Sequence, residues 1–351
     1  MASDYGYANA RIRGMKSLLI SAGFYDRLLK STSFDDVVGS LNTTAYGREL
    51  SEVMIKESGL KGFDEALRRN IVKSFNKVSH AVDDDGRQLM GILLGRWDVG
   101  NVKSILRGKN LGATSDAILE SLIPGAEIDE ASLLEMVKSR DVRDCVDTMA
   151  TLRIPYAVPL TGAFPDYAAK RSLAVLEIAL DKFYYARAFA GVQGNDINST
   201  MVREALAREI DAENIMTLLR IVKEDIDRRE GMVFLIAGGR ELALWRLEEV
   251  AGRRTIEDCV QALSETSYHD LIAESMPSYF ETGSLTGLQR ALEQQAVRRG
   301  LKMWKADPLT IAGVIAYVWA KTNEIVNLRV IARGKQVGMP VDKMREALVL
   351  A

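Results

Sequence analysis

The chain contains 351 residues, of which 27% are charged and 47% are hydrophobic, and its formal net charge at pH 7 is −2. This composition is ordinary for a globular protein, and the interleaved acids and bases argue against a dedicated nucleic-acid-binding protein. Only 7 prolines interrupt the sequence. Helix-forming residues and periodic apolar positions run through most of it, so we predict an all-α fold.

The first landmark along the chain is an aspartate with a valine two residues later, then an apolar residue, a threonine and a tyrosine. It occurs three times in order, and the middle copy has a small insertion before its tyrosine. This recurrence indicates an internal repeat. The copies are Asp36-Val37-Val38 with Leu41, Thr44 and Tyr46, Asp144-Cys145-Val146 with Met149, Thr151 and Tyr156, and Asp258-Cys259-Val260 with Leu263, Thr266 and Tyr268.

A second pattern, which we call the signature helix, has an acid, an asparagine at +3, apolar residues at +4 and +7, and an arginine at +9. Its copies are Asp98, Asn101, Val102, Ile105 and Arg107, then Asp211, Asn214, Ile215, Leu218 and Arg220, then Glu324, Asn327, Leu328, Ile331 and Arg333. The three asparagines lie 113 residues apart, and Leu122-Ile123-Pro124-Gly125 matches Leu235-Ile236-Ala237-Gly238 at the same spacing.

The period of this repeat is close to the size of a domain and far longer than the roughly 20–50 residues of solenoid repeats. We therefore expect three similar helical domains, at residues 1–113, 114–228 and 229–351. A chain built in this way is better suited to a shaped surface than to a single asymmetric pocket.

In each signature helix the acid, the asparagine and the two apolar residues share one face, whereas the arginine points away. Buried polar groups need hydrogen bonds, so we predict that the acids and amides dock each helix within its module. The alternative is a polar functional site repeated three times. The predicted scaffold residues are Asp98, Asn101, Asp211, Asn214, Glu324 and Asn327. The outward Arg107, Arg220 and Arg333 are predicted to be solvated or ion-paired, and they are candidates for contacting a partner.

Two of the signature helices continue as Arg107-Gly108-Lys109 and Arg333-Gly334-Lys335. We predict that each glycine ends its helix and that the cations favour the negative end of the helix dipole, with anion binding as the alternative. Cys145 and Cys259 occupy the same position in successive modules. They are therefore predicted to be buried thiols and not a disulfide pair.

Enzyme chemistry finds little support in the sequence. Asp83-Asp84-Asp85, and Asn195-Asp196 with Ser199 and Glu204, invite comparison with class I terpenoid synthases, but both depart from the magnesium-binding patterns of those enzymes. The chain has only 2 histidines and no Walker-type phosphate-binding loop. We predict no catalytic site, no cofactor and no metal.

The ordered landmarks resemble the C subunit of archaeal and bacterial A/V-type ATP synthases, which is related to subunit d of the eukaryotic vacuolar ATPase. The resemblance extends over essentially the whole chain. The matching segments are Tyr5 to Arg13, Trp97-Asp98 to Lys109, Asp211 to Asn214, Phe234-Leu235 to Arg240, Asp307-Pro308-Leu309 with Ala316-Tyr317, and Asn323 to Pro340.

The resemblance implies a funnel of three helical domains around a pseudo-threefold axis. It implies a peripheral, non-catalytic central-stalk subunit on the cytoplasmic side of the cell membrane, which joins stalk subunits D and F to the membrane rotor ring. Such a subunit transmits torque between ATP chemistry and ion transport, including hydrogen ion transport. Arg11 and Arg13 join the arginines above as candidate partner contacts. The leading alternative is a generic helical adaptor with a different partner.

Overall fold

A computed structural model describes residues 5–123 and 125–350. In this part of the chain there are 19 α-helices and one short 3₁₀ helix, and no β-strand is present. The predicted all-α fold is confirmed. Pro124, which belongs to one of the repeated sequence matches, lies outside the described residues.

Helix α1 (Gly6–Lys16) precedes a series of six helices that occurs three times. The first series is α2 (Ala22–Lys30), α3 (Phe34–Leu41), α4 (Gly47–Met54), α5 (Gly59–Ser79), α6 (Asp84–Asn110) and α7 (Ser115–Leu119). The second is α8 (Glu130–Lys138), α9 (Val142–Thr151), α10 (Ala157–Lys170), α11 (Ala174–Gly191), α12 (Ile197–Lys223) and α13 (Arg228–Met232). The third is α14 (Leu244–Ala251), α15 (Ile256–Ala262), α16 (His269–Thr282), α17 (Thr286–Lys302), the 3₁₀ helix (Met303–Lys305), α18 (Ala312–Gln336) and α19 (Val341–Ala347).

The repeated aspartate landmark marks the first turn of the second helix in each series. There, a side-chain oxygen of the residue before the helix accepts the backbone N–H three residues later, which supplies one of the bonds that a helix start lacks. The N–H groups of Asp36, Asp144 and Asp258 are the donors. The acceptors are Ser33 at 3.1 Å, Asp141 at 2.8 Å and Thr255 at 3.1 Å.

The long signature helices α6, α12 and α18 end in the same way. The second residue beyond each helix has a left-handed backbone, with φ of 67° at Gly112, 50° at Asp225 and 67° at Gly338. The N–H of the next residue then returns to a carbonyl five residues earlier, which satisfies an otherwise unpaired helix end. These bonds are Ala113 to Gly108, Ile226 to Ile221, and Met339 to Gly334.

The prediction that Gly108 and Gly334 end their helices is therefore wrong, because α6 continues to Asn110 and α18 to Gln336. These glycines instead allow close packing of the short helix that follows. A Cβ atom at Gly108 would overlap Ile118, and one at Gly334 would overlap Met344.

The middle copy uses the same contact with the partners exchanged. There the large residue, Ile221, lies on the signature helix, and Gly231 lies on the following short helix, where a Cβ atom would meet the Ile221 side chain. In every copy one glycine and one large side chain stand ten residues apart. In each copy, one large side chain thus fills the space between the signature helix and the short helix that follows, and it can come from either helix.

The chain forms two compact units, Met1–Thr161 with Val297–Ala351, and Gly162–Ala296. In the first unit, α18 packs against α1, α3, α5, α6 and α19 and is buried on nearly every side. In the second unit, α12 packs against α11, α13, α14 and α15. The core beside it includes Leu218, Leu242, Leu247, Leu263 and Ile272.

Candidate functional site

The three asparagines of the signature helices make one repeated contact, which we call the amide clamp. Each side chain donates from Nδ2 to a backbone carbonyl and accepts that same residue's N–H at Oδ1, 22 residues further along the chain. The donor and acceptor distances are 2.6 and 2.9 Å for Asn101 with Ile123, 2.8 and 2.8 Å for Asn214 with Ile236, and 3.0 and 3.2 Å for Asn327 with Val349. One buried amide thereby satisfies both polar groups of a loop residue.

The acids of the first two signature helices accept backbone N–H groups from the segment just before the next helix series. Asp98 accepts from Ala126 and Glu127 at 2.8 Å and from Ile128 at 3.3 Å. Asp211 accepts from Glu241 at 3.0 Å and Leu242 at 3.1 Å. These partners, like Ile123 and Ile236, lie beyond residues 113 and 228, where the predicted modules end.

Glycine lets the backbone approach the first two carboxylates this closely. A Cβ atom at Gly125 would overlap the carboxylate of Asp98, and one at Gly239 would overlap that of Asp211. The sequence match between the segments at 122 and 235 therefore includes a steric requirement of the site.

The third copy takes its partner segment from an earlier part of the sequence. The carboxylate of Glu324 instead accepts the N–H of Ile20, which lies 304 residues earlier and just before α2. Ile20 corresponds to Ile128 and Leu242, which precede α8 and α14. The N-terminal segment thus completes the third copy of the contact within the first compact unit.

The recurring tyrosine of the landmark is buried in every copy. The hydroxyl of Tyr46 donates to Glu324 at 2.6 Å, and that of Tyr268 donates to Asp211 at 3.3 Å. Tyr156 occupies the same position in the middle copy and is 2% exposed. The sequence showed that this tyrosine recurs but gave no indication of its hydrogen-bond partner.

Burial dominates the titration of the first two acids. It raises the pKa of Asp98 from its ordinary value of 3.8 to about 6, although three N–H groups favour the charged carboxylate. Burial raises the pKa of Asp211 as well, and again the hydrogen bonds from its partners oppose the shift.

The third copy contains a buried ion pair beside its recurring tyrosine. Lys321 Nζ lies 2.8 Å from Glu324 Oε1, both side chains are 3% exposed, and Nζ also donates to the Tyr46 hydroxyl at 2.7 Å. Burial lowers the pKa of Lys321 even though Glu324 opposes the shift. Burial, followed by the charge of Glu324, raises the pKa of Tyr46 well above its usual range.

A second charged cluster involves Arg333, one of the arginines predicted to face outward. Asp64 of α5 accepts from Arg329 at 2.9 Å and from Arg333 at 3.0 Å. The two guanidinium groups also donate to the carbonyls of Leu122 and Glu120. Arg333 is therefore engaged within the chain.

The other arginine candidates lie at the surface. Arg107, Arg220 and Arg13 are exposed, and Arg220 donates to Gln289 at 3.3 Å. Arg11 is also exposed and donates to the Tyr7 hydroxyl at 3.3 Å.

The lysines that follow the helix glycines bind carbonyls near helix ends. Lys109 donates to the carbonyl of Val137 near the end of α8, and Lys335 donates to that of Leu29 near the end of α2 at 2.6 Å. These contacts satisfy backbone acceptors that a helix end otherwise leaves unpaired.

The acidic segments that resembled a magnesium site begin helices. Asp83 accepts the N–H of Gly86 at the start of α6, and Asp196 accepts that of Asn198 at the start of α12. Among the described residues, no group of three His, Cys, Asp or Glu side chains could hold a metal ion. Cys145 and Cys259 are free and buried, and burial raises the pKa of their thiols to about 12 and about 11.

Fold and site together define an all-α repeat protein in which the acids and amides of the signature helices bind backbone groups of the same chain. Across the described residues, no helix is long and apolar enough to cross a bilayer. A family model described as ATP synthase (C/AC39) subunit matches residues 8–347. The chain belongs to this family of non-catalytic stalk subunits of rotary ATPases, which confirms the resemblance seen in the sequence.

Curated relatives, each named as the C subunit of an A-type ATP synthase, match along nearly their whole length. The Methanosarcina acetivorans protein is 30% identical over 350 residues, which cover 99% of this chain and 93% of the relative. The Methanosarcina mazei protein is 28% identical, covering 99% and 94%, and the Methanocaldococcus jannaschii protein is 25% identical, covering 99% and 86%.

Proposed function

We propose that this chain is the coupling element of a rotary A/V-type ATPase. In this role it joins the shaft formed by subunits D and F to the membrane rotor ring, at the cytoplasmic face of the membrane. It transmits torque without taking part in ATP chemistry. The observation that carries the proposal is membership of the C/AC39 family along residues 8–347.

The packing of the signature helices supports a mechanical role. Torque is passed on only if the connecting body resists deformation, and close-packed interiors transmit strain. In this chain the loop after each signature helix is held at both polar groups of one residue by a buried amide. Each clamp fastens the segment after the short helix to its signature helix, which limits sliding between the two.

We propose three similar domains, residues 1–113, 114–228 and 229–351, in a pseudo-threefold funnel around the end of the shaft. The recurrence of caps, helix ends and amide clamps at the same sequence spacing supports a triplicated architecture. The contact from Glu324 to Ile20 supports this arrangement, because it joins the first and third of these domains within the first compact unit.

Partner contacts are assigned to the arginines that keep an exposed side chain. Arg13 lies in the last turn of α1, and Arg107 and Arg220 lie near the ends of α6 and α12. Exposed charges at the edge of an interface chiefly set the association rate and its dependence on salt. Arg333 is the weakest of these candidates because Asp64 already engages it.

A binding experiment with purified components tests the proposal. The chain is immobilised and exposed to the isolated D–F stalk, to the detergent-solubilised rotor ring, and to both together. We expect it to retain each component alone and both at once. Arg13→Glu should slow association with one of them, whereas the control Lys56→Glu, on an exposed residue after α4, should not.

A chain that retains neither the stalk nor the ring would contradict the coupling role and favour the adaptor alternative. Retention of only one component would contradict the bridging part of the proposal. A reconstituted ATPase tests the mechanical part, because omission of this chain should leave ATP hydrolysis without ion transport.

A further inference from the structure

A cationic groove lies in the first compact unit beside the outer face of α5. It has a volume of about 460 Å³, and α1, α5 and α8 contribute its walls. The charged residues that carry the argument are Arg11, Arg69, Lys73, Lys77 and Glu130. None of them belongs to the clamps of the signature helices, so the clamps do not account for the groove.

Part of this positive charge is neutralised within the protein. Arg68 pairs with Glu65 and Glu130, and Lys73 lies 2.8 Å from the buried Glu49. Arg69 shares the carboxylate of Glu65 with Arg68. These pairs hold the side chains in place, and Arg69 and Lys73 stay 54% and 46% exposed, so both still present donors to the groove.

The remaining cations are not neutralised. The side chain of Arg11 donates to the Tyr7 hydroxyl, and Lys77 forms no ion pair with any of the described residues. The groove and its immediate partners thus contain five Arg and Lys side chains against three glutamates, an excess of two positive charges. The cations are Arg11, Arg68, Arg69, Lys73 and Lys77, and the glutamates are Glu49, Glu65 and Glu130.

The spacing of these cations favours an extended acidic ligand. Arg69, Lys73 and Lys77 follow one another at every fourth residue of α5, a step of about 6 Å along the helix axis. In an extended peptide, side chains on the same face are about 6.6 Å apart. Carboxylates at alternate positions of such a peptide therefore match the row of cations, whereas one phosphate group could reach only one or two of them.

We propose that this groove binds an extended acidic segment of a partner protein, with carboxylates at alternate positions. The groove is open to solvent, and Val72 is the apolar residue within its row of cations. A volume of about 460 Å³ can hold part of one extended peptide chain along this row. The inference stands apart from the coupling role, because it rests only on the charge and geometry of the groove.

A fluorescence-anisotropy titration tests the inference with the full-length chain. The probe is a labelled peptide of about six residues that alternates glutamate and serine, long enough to span about 20 Å. The control peptide replaces each glutamate with glutamine. We expect binding of the glutamate peptide alone, weakening as ionic strength rises from about 0.05 to about 0.5 M.

Two charge-matched variants locate the binding. Arg11→Glu with Lys77→Glu should lower the affinity about tenfold or more, since two attractive contacts become repulsive. Lys30→Glu with Lys56→Glu makes the same change in net charge at exposed positions outside the groove. This control should retain the affinity within about twofold. The salt dependence of binding measures how much of any remaining change comes from long-range electrostatic attraction.

Several results would overturn the inference. Equal binding of the glutamine peptide would show that charge does not drive binding. An equal loss of affinity in the two double variants would show that the peptide does not bind in the groove. Displacement of the peptide by millimolar inorganic phosphate would indicate a small-anion site. Binding of anionic vesicles but not of the peptide, with the same sensitivity to Lys77→Glu, would indicate a membrane surface instead.

Discussion

The signature helices α6 and α12 differ from α18 in the origin of the backbone segment that binds their acid. Asp98 and Asp211 bind segments that follow within about 30 residues, as the hydrogen-bonded positions show. Glu324 binds Ile20, from the opposite end of the sequence. The acid therefore recognises a local structure, the backbone that enters a helix series, and not a neighbour in sequence.

The charges buried beside these acids differ as well. Neutral backbone and a tyrosine hydroxyl surround Asp211, whereas Glu324 is paired with the buried Lys321. The same α18 also contains Arg329, which pairs with Asp64 of α5. A central helix that packs against five others can hold charged side chains only where each one has a partner.

The largest expected effect is the loss of stability when the acid is removed, and it should differ between these two environments. Glu324→Ala leaves the Lys321 ammonium group buried without its carboxylate, which costs about 3–5 kcal/mol. Asp211→Ala leaves only neutral donors unpaired and should cost less, about 1–3 kcal/mol. Urea denaturation of both variants measures the difference. Lys321→Met combined with Glu324→Leu should recover much of the loss, and an equal cost for the two single variants would contradict the comparison.

The pH dependence of Asp98 is the next effect in size. Its pKa rises from 3.8 in the unfolded chain to about 6 in the folded protein, so the folded state binds the proton more tightly. The contribution of Asp98 to stability therefore decreases by about 3 kcal/mol as pH rises from about 4 to about 6. Above that range it is constant.

The measurement is the difference in unfolding free energy between the wild type and Asp98→Asn across this pH window. Because other carboxylates titrate in both proteins, their effects cancel in the difference. A difference that is flat, or one that moves in favour of the wild type as pH rises, would show that the hydrogen bonds from residues 126–128 outweigh burial.

The exchanged glycine pair gives an intermediate effect. Gly231→Ile places two large side chains where each copy holds one, and overpacking of this kind costs about 1–3 kcal/mol. Adding Ile221→Gly recreates the arrangement at Gly108 and Ile118 and should restore part of the stability, less the cost of a glycine inside a helix. Denaturation midpoints of the two single variants and the double variant measure the coupling. Strictly additive effects would mean that these two residues do not share one space.

The smallest expected effect is a gain in stability at the end of α12. Asp225 has φ of 50°, whereas Gly112 and Gly338 occupy the same position after α6 and α18. Glycine adopts this backbone without steric cost, so Asp225→Gly should stabilise the chain by about 0.5–1 kcal/mol. Asp225→Ala is the matched control and should destabilise it. An Asp225→Ala variant more stable than Asp225→Gly would contradict the assignment of this helix end.

The sequence predicted the features that a local pattern can express. Helical periodicity gave the fold class, and the spacing of acid and amide in each signature helix indicated an inward polar face. The structure places Asp98, Asn101, Asp211, Asn214, Glu324 and Asn327 in buried positions with backbone partners. For the first two helices, the matched segments at 122 and 235 were visible as motifs, although their role in binding the helix was not.

Other features required the folded chain. The partner of Glu324 lies 304 residues away, so no local sequence pattern connects the two. The sequence alone predicts a helix stop at Gly108, because the packing partner of this glycine, Ile118, is recognisable only in three dimensions. Arg333 also points away from Glu324 on the helix, but α18 is packed on most sides, so the residue pairs with Asp64 and keeps 38% of its side chain exposed.

The most direct test of the account is amide hydrogen exchange in Asn101→Leu, Asn214→Leu and Asn327→Leu, compared with the wild type. The account holds that each asparagine clamps one residue 22 positions further along the chain. Each variant should lose about 1–3 kcal/mol of stability because a buried backbone pair is left unsatisfied. Faster exchange should appear at the clamped residue, which is Ile123, Ile236 and Val349 in turn. Unchanged exchange at these amides, or faster exchange at a different residue in each variant, would contradict the threefold clamp.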